Sequence, residues 1–128
     1  VIVSDERVAA FVGKMVGTEF QPPYTCLGVE HDGRIVSGIV FNCWTGTDIE
    51  LTVASVNGHL PRRLLRRAAD YVFKELGCIR VSFTTENPAV IEMAKRLSAQ
   101  PEGRKRHLFG PGRDGVILGI LREEWKIT

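Results

Sequence analysis

The residues best suited to chemistry stand at a helix start, Pro61-Arg62-Arg63-Leu64, just after an apolar strand and an Asn57-Gly58 break. A helix N-terminus leaves backbone N–H groups unpaired and carries partial positive charge, so an anion there is favoured. Arg62 and Arg63 add guanidinium forks that match phosphate oxygens. Pro61 lacks an N–H, which costs little at the first helical position, where that donor has no partner in the helix. His59, in the preceding loop, either hydrogen-bonds a phosphate or caps the loop. Arg66 and Arg67 read as a solvated helix face.

A second set of candidates is acidic or thiol-bearing. Glu50 lies on the strand entering this loop, on the opposite side from Ile49, Leu51 and Val53. It is either a general base or a solvated edge carboxylate, with Asp48 and His31 weaker candidates for the same task. Cys26, Cys43 and Cys78 are odd in number and never spaced C-x-x-C. That argues against a disulfide framework or a zinc site and for a reducing compartment. They read as small buried hydrophobes. No histidine is evidently paired with Cys43 to make it a nucleophile.

Local patterns supply the elements that must position these groups. Ser4-Asp5 caps a helix through Val8, Phe11, Val12, Met15 and Val16, which Gly17 ends. Residues 20–24 form a connector, because paired prolines stop helix and sheet alike. Residues 26–31 and 34–43 flank Asp32-Gly33, the preferred pair for a tight hairpin turn. That register places Cys26, Gly28 and Glu30 with Ile35, Ser37 and Ile39, and Leu27 and Val29 with Val36 and Val40. Both faces are apolar, so both should be covered.

Residues 48–56 read as a third strand, followed by a helix over about 61–76. Its inner face is Leu64, Leu65, Ala68, Val72 and Leu76, and Gly77 closes it. Ile79, Val81 and Phe83 alternate as a buried strand. Asn87 caps and Pro88 starts another helix, with Val90, Ile91, Ala94 and Leu97 as its stripe. The chain ends in a hairpin, 104–109 and 116–121, around Gly110-Pro111-Gly112. Trp44 reads either as lining an acceptor pocket or, by preference, as core, and Trp125 as a packing anchor.

The 128 residues, 44% hydrophobic and 25% charged, suit one domain, 1–128, with one core. The net charge of +2 does not mark a nucleic-acid or membrane binder. A nucleic-acid contact through Arg62, Arg63, Arg66 and Arg67 would also lack interleaved aromatics. Val1-Ile2-Val3 runs straight into charged residues, so no signal peptide is expected. No stretch is apolar enough to span a membrane. A cytoplasmic protein is expected.

The run from Arg62-Arg63-Leu64-Leu65-Arg66-Arg67 to Tyr71-Val72-Phe73, then Leu76-Gly77-Cys78 and Arg80-Val81, resembles the GNAT superfamily of acetyl-CoA-dependent N-acetyltransferases. The likeness continues through Glu86-Asn87, Arg96-Leu97, Glu102-Gly103-Arg104 and Leu121-Arg122-Glu123-Glu124-Trp125. The order of these motifs looks like the branch related to ribosomal-protein N-terminal acetyltransferases, which has compact, phage-type versions. The resemblance implies an α/β (α+β) fold: a mixed, mostly antiparallel central sheet with helices on both faces. It implies acetyl-CoA as cosubstrate, no metal, and an amine on a small molecule, peptide or protein as acceptor. The pantetheine arm would pair with the backbone near Val53, and the pyrophosphate would sit at His59, Leu60, Arg62 and Arg63. Asn87, besides capping its helix, would contact the cofactor. Pairing through the terminal strands could build a homodimer.

Two departures stand out. The family's phosphate loop reads Q/R-x-x-G-x-G/A, and here His59 and Pro61 occupy the glycine positions. A tyrosine that protonates the leaving thiolate in many members is Ala94 here, and the Gly-Phe after that helix is Ser98-Ala99. A catalytically weak or inactive CoA-binding protein on the same scaffold is therefore the alternative. Acceptor specificity should lie in residues 20–24, 44–47 and 110–114.

Overall fold

The computed structural model describes residues 1–126. Its elements are β1 (Ile2–Val3), α1 (Glu6–Val16), β2 (Thr25–His31), β3 (Arg34–Asn42), β4 (Glu50–Ser55), α2 (Arg62–Ala69), β5 (Arg80–Thr85), α3 (Pro88–Arg96), β6 (Gln100–Lys105) and β7 (Gly115–Leu121). The strands form one sheet in the order β1-β2-β3-β4-β5-β7-β6. Every neighbouring pair is antiparallel except β4 and β5, which are parallel. α1 covers one face through Val8, Ala9 and Val12. α2 and α3 cover the other through Leu64, Leu65, Ala68, Ala94 and Leu97. The mixed, mostly antiparallel sheet with helices on both faces is as the sequence predicts.

Local chemistry sets the helix ends. Asp5 caps α1 by accepting from the Arg7 N–H at 3.0 Å, and Gly17 ends it in the left-handed region at φ +78°. The Arg7 guanidinium binds both Asp5 (2.9 Å) and Glu30 (2.6 Å), tying the start of α1 to β2. Asn87 caps α3 through the Ala89 N–H at 2.9 Å. The helix expected over 61–76 is α2 continued by a π-helical turn, Asp70–Glu75, in which the Leu76 N–H reaches back to the Tyr71 carbonyl. Within that turn the Tyr71 ring stands edge-on to Phe41, 5.0 Å between centroids.

Four expectations need correction. The Asp32-Gly33 turn forms, with both residues at positive φ, and His31 pairs with Arg34 as expected. A bulge between Val29 and Glu30 then shifts the register by one. One residue of shift exchanges the faces. Leu27 therefore stands opposite Ile39, and Gly28 opposite Gly38. The two glycines let α1 lie close: a Cβ at Gly38 would sit 2.8 Å from Val8 Cγ1 and 2.9 Å from Val12 Cγ2.

Ile79 precedes β5 and is 49% exposed, because its N–H and that of Arg80 converge on the Thr47 carbonyl where the chain enters the sheet. The last hairpin pairs β6, residues 100–105, with β7, while residues 106–109 lie in turns. β6 is exposed throughout and so lacks alternation. The apolar Leu108 and Phe109 mimic a strand but pack over Gly115. Trp44 is 57% exposed, since Cys43 at φ +57° turns the chain outward into a loop closed by Thr45 and Asp48. Trp125 does anchor the chain end, against Phe73 at 5.7 Å.

Candidate active site

β4 and β5 share a single pair of Cα partners, Glu50 and Ser82. Just before it, the Ser82 N–H reaches the Ile49 carbonyl at 3.0 Å. Beyond it the strands part, leaving the β5-facing edge of β4 open from Leu51 onward. Backbone groups on such an edge seek an extended partner. A cleft of about 750 Å³ occupies the wedge. Met15–Thr18 at the end of α1, Asn42, Glu50, Thr84–Asn87, Leu108, Phe109 and Arg113 line it. A smaller chamber of about 90 Å³ continues past Val53 to Gly58, Leu60 and Met93. The two share Met15, Val16, Val53, Asn87 and Val90.

Beyond the small chamber lies the arginine-rich helix start. Asn57 Oδ1 accepts from the His59 N–H at 3.0 Å and from Ser55 Oγ at 2.8 Å, which shapes the loop. No side chain caps α2, and the Leu64 and Leu65 N–H groups already bond the Pro61 carbonyl. Arg62 and Arg63 are exposed, with open backbone N–H groups.

The sequence candidates separate in space. Glu50, Val53 and Asn87 line the main cleft and Leu60 the small chamber, while His59, Arg62 and Arg63 flank that chamber without lining it. Asp48 is held by Arg80 Nε at 3.1 Å and Ser82 Oγ at 2.8 Å and does not line the cleft. His31 is exposed beside Asp32 at the hairpin turn. Desolvation and the nearby Glu50 carboxylate both push the Cys43 thiol up, which disfavours the nucleophilic thiolate. All three cysteines are free, Cys43 exposed rather than buried.

Sequence reasoning missed Asn42, Glu86 and the apolar pair Leu108 and Phe109. Arg113, in one of the loops singled out for acceptor specificity, donates to Glu86 through Nε (3.0 Å) and Nη2 (2.6 Å), holding that carboxyl below the usual range. Among the described residues, no three His, Cys, Asp or Glu side chains are grouped to hold a metal ion, and no helix is long and apolar enough to cross a membrane.

Solved N-acetyltransferase structures match the fold along most of the chain. The spermidine/spermine N-acetyltransferase SpeG from Vibrio cholerae, solved with manganese ions, is 14% identical, with a TM-score of 0.73 over 97% of this chain and 93% of that one. A dodecameric form of the spermidine enzyme from Vibrio cholerae is 15% identical, with a TM-score of 0.72 over 97% and 94%. A probable acetyltransferase is 20% identical, with a TM-score of 0.68 over 81% of this chain and 64% of its own. The fold is that of the GNAT acetyltransferases. No protein-family model and no curated protein sequence matches the chain. α3 carries Ala94 buried in the core, a side chain with no proton to donate.

Proposed function

We propose that the chain is a GNAT-superfamily N-acetyltransferase that moves an acetyl group from acetyl-CoA to an amine by direct transfer. The observation that carries this reading is the open edge of β4, which runs from the arginine-rich start of α2 to Glu50 at the vertex of the wedge. Arg62, Arg63 and their backbone N–H groups receive the pyrophosphate, and the β4 backbone near Val53 pairs with the pantetheine amides. Leu60 and Asn87 wall the passage between them. The phage-type branch, related to ribosomal-protein N-terminal acetyltransferases, rests on the sequence motifs.

Glu50 takes the proton of the amine, directly or through water, and the nitrogen attacks the thioester carbon. Backbone N–H groups of the open β4 edge stabilise the oxyanion. The carbon–sulfur bond then breaks, and the thiolate takes its proton from water, because Ala94 has none to give. That same gap supports the second reading, a CoA-binding protein of little or no transferase activity. The exposed edge of β6 would serve a homo-oligomer.

Acetyl-CoA and CoA should each bind and raise thermal stability, since a ligand of the folded state must stabilise it. Failure of both to do so would overturn the reading. Binding without transfer to any of a panel of peptides, polyamines and aminoglycosides would favour the second reading.

A further inference from the structure

The acceptor side of the cleft carries little net charge. Its carboxylates are Glu50 and Glu86, and Arg113, itself in the wall, grips Glu86 with both arms of its fork. Asp48 is engaged by Arg80 and Ser82 outside the lining. Among the described residues Glu50 has no ion-pair partner, so a single uncompensated carboxylate remains.

Asn42 stands opposite Glu50 across β3 and β4, on the same face of the sheet. Its Oδ1 is buried without a donor. The terminal torsion of an asparagine is soft, so the amide can turn that oxygen toward the cleft without moving the strand. An ammonium group brings three donors and one positive charge, which suits a carboxylate beside a carbonyl oxygen. The cleft wall mixes threonine hydroxyls (Thr18, Thr52, Thr84 and Thr85) with an apolar part: Met15 and Val16 end α1, and Leu108 and Phe109 lean in from the β6–β7 connection.

We infer that the acceptor is a primary amine of single positive charge on an apolar carrier, its nitrogen held between Glu50 and Asn42 and its carrier against Leu108 and Phe109. This rests on the transferase reading and narrows it. A polycation such as spermidine would meet Arg113 where its second ammonium needs an anion, so the Arg113–Glu86 pair acts as the selective element.

The test is calorimetric binding of n-hexylamine, a tripeptide amide with N-terminal leucine, and spermidine, each with and without CoA, together with their acetylation rates. The better monocation should bind and react about tenfold or more better than spermidine, and which one wins separates a small amine from a peptide N-terminus. Asn42→Leu should lower kcat/KM for that amine about tenfold with the KM for acetyl-CoA unchanged, and Asn42→Ser, which keeps a neutral acceptor, should lose less. Arg113→Met, which frees Glu86, should shift the preference toward spermidine. A wild-type preference for spermidine, a preference untouched by Arg113→Met, or no binding of any of the three amines would overturn the inference. Amine binding in a protein that fails to bind CoA would instead strike the transferase reading.

Discussion

Glu50 and Ser82 are the one Cα pair at which β4 and β5 run side by side. Ser82 is fixed there by Asp48, which accepts from its hydroxyl and from Arg80. Arg80 in turn reaches Glu102 on β6 at 2.6 Å, so the closed end of the wedge is braced across the sheet. Glu50, at the vertex, points to the open side. Two acidic residues only two positions apart therefore have separate tasks.

That division can be tested by kinetics. Glu50→Gln should lower kcat by about 10²–10⁴-fold and remove the acid limb of the pH–rate profile, because a carboxylate base works only when deprotonated. Asp48→Asn should leave the profile in place and cost about 1–2 kcal/mol of stability, a charged hydrogen-bond loss discounted for partial exposure. An unchanged profile in Glu50→Gln would remove its assignment as base.

Arg62 and Arg63 are expected to act on the diphosphate alone. Replacing either by Ala should weaken acetyl-CoA binding about tenfold, the value of one charge-assisted hydrogen bond. Neither change should affect acetyl-pantetheine, which lacks the pyrophosphate. Calorimetry with both ligands reads the difference. Equal losses for the two would place the arginines' effect elsewhere.

Gly38 should tolerate no larger residue while α1 keeps its seat. Gly38→Val drives new atoms into Val8 and Val12, and overpacking of this kind costs about 1–3 kcal/mol. Urea unfolding should show the loss, and adding Val12→Ala should recover part of it.

The Arg7 hydrogen bonds, from its guanidinium first and its backbone N–H second, hold the Asp5 carboxyl down to about 2. A group whose folded-state pKa is depressed contributes stability above its ordinary pKa and loses it as the pH falls through the folded value. Asp5→Asn, which keeps a capping acceptor, should therefore have a lower thermal midpoint than the wild type near neutral pH. The gap should close as the pH falls toward about 2. Circular dichroism melts across that range check the sign.

Features set by near neighbours in the chain could be read from the sequence. The Asp5 and Asn87 caps, the Gly17 stop and the Asp32-Gly33 turn depend on side chains and φ preferences within a few positions. So does the helix start at Arg62, whose open donors follow from helix geometry itself. The apolar stripe of α2 and the alternation of Val81 and Phe83 were equally plain, because each buries one face of a regular element.

Only the tertiary structure decided how those elements meet. A one-residue bulge that leaves Val36 of β3 unpaired beside Val29 and Glu30 exchanged the faces of a hairpin whose turn was correctly read, since period-two alternation tolerates either face when both are apolar. β6 left no pattern because neither of its faces is buried. Asn42 comes to lie opposite Glu50 through strand register, and Arg113 reaches Glu86 across 27 residues of chain. The cleft itself exists because β4 and β5 part after Glu50 and Ser82. Strand divergence is a property of the packed sheet, so no residue in the chain encodes it alone.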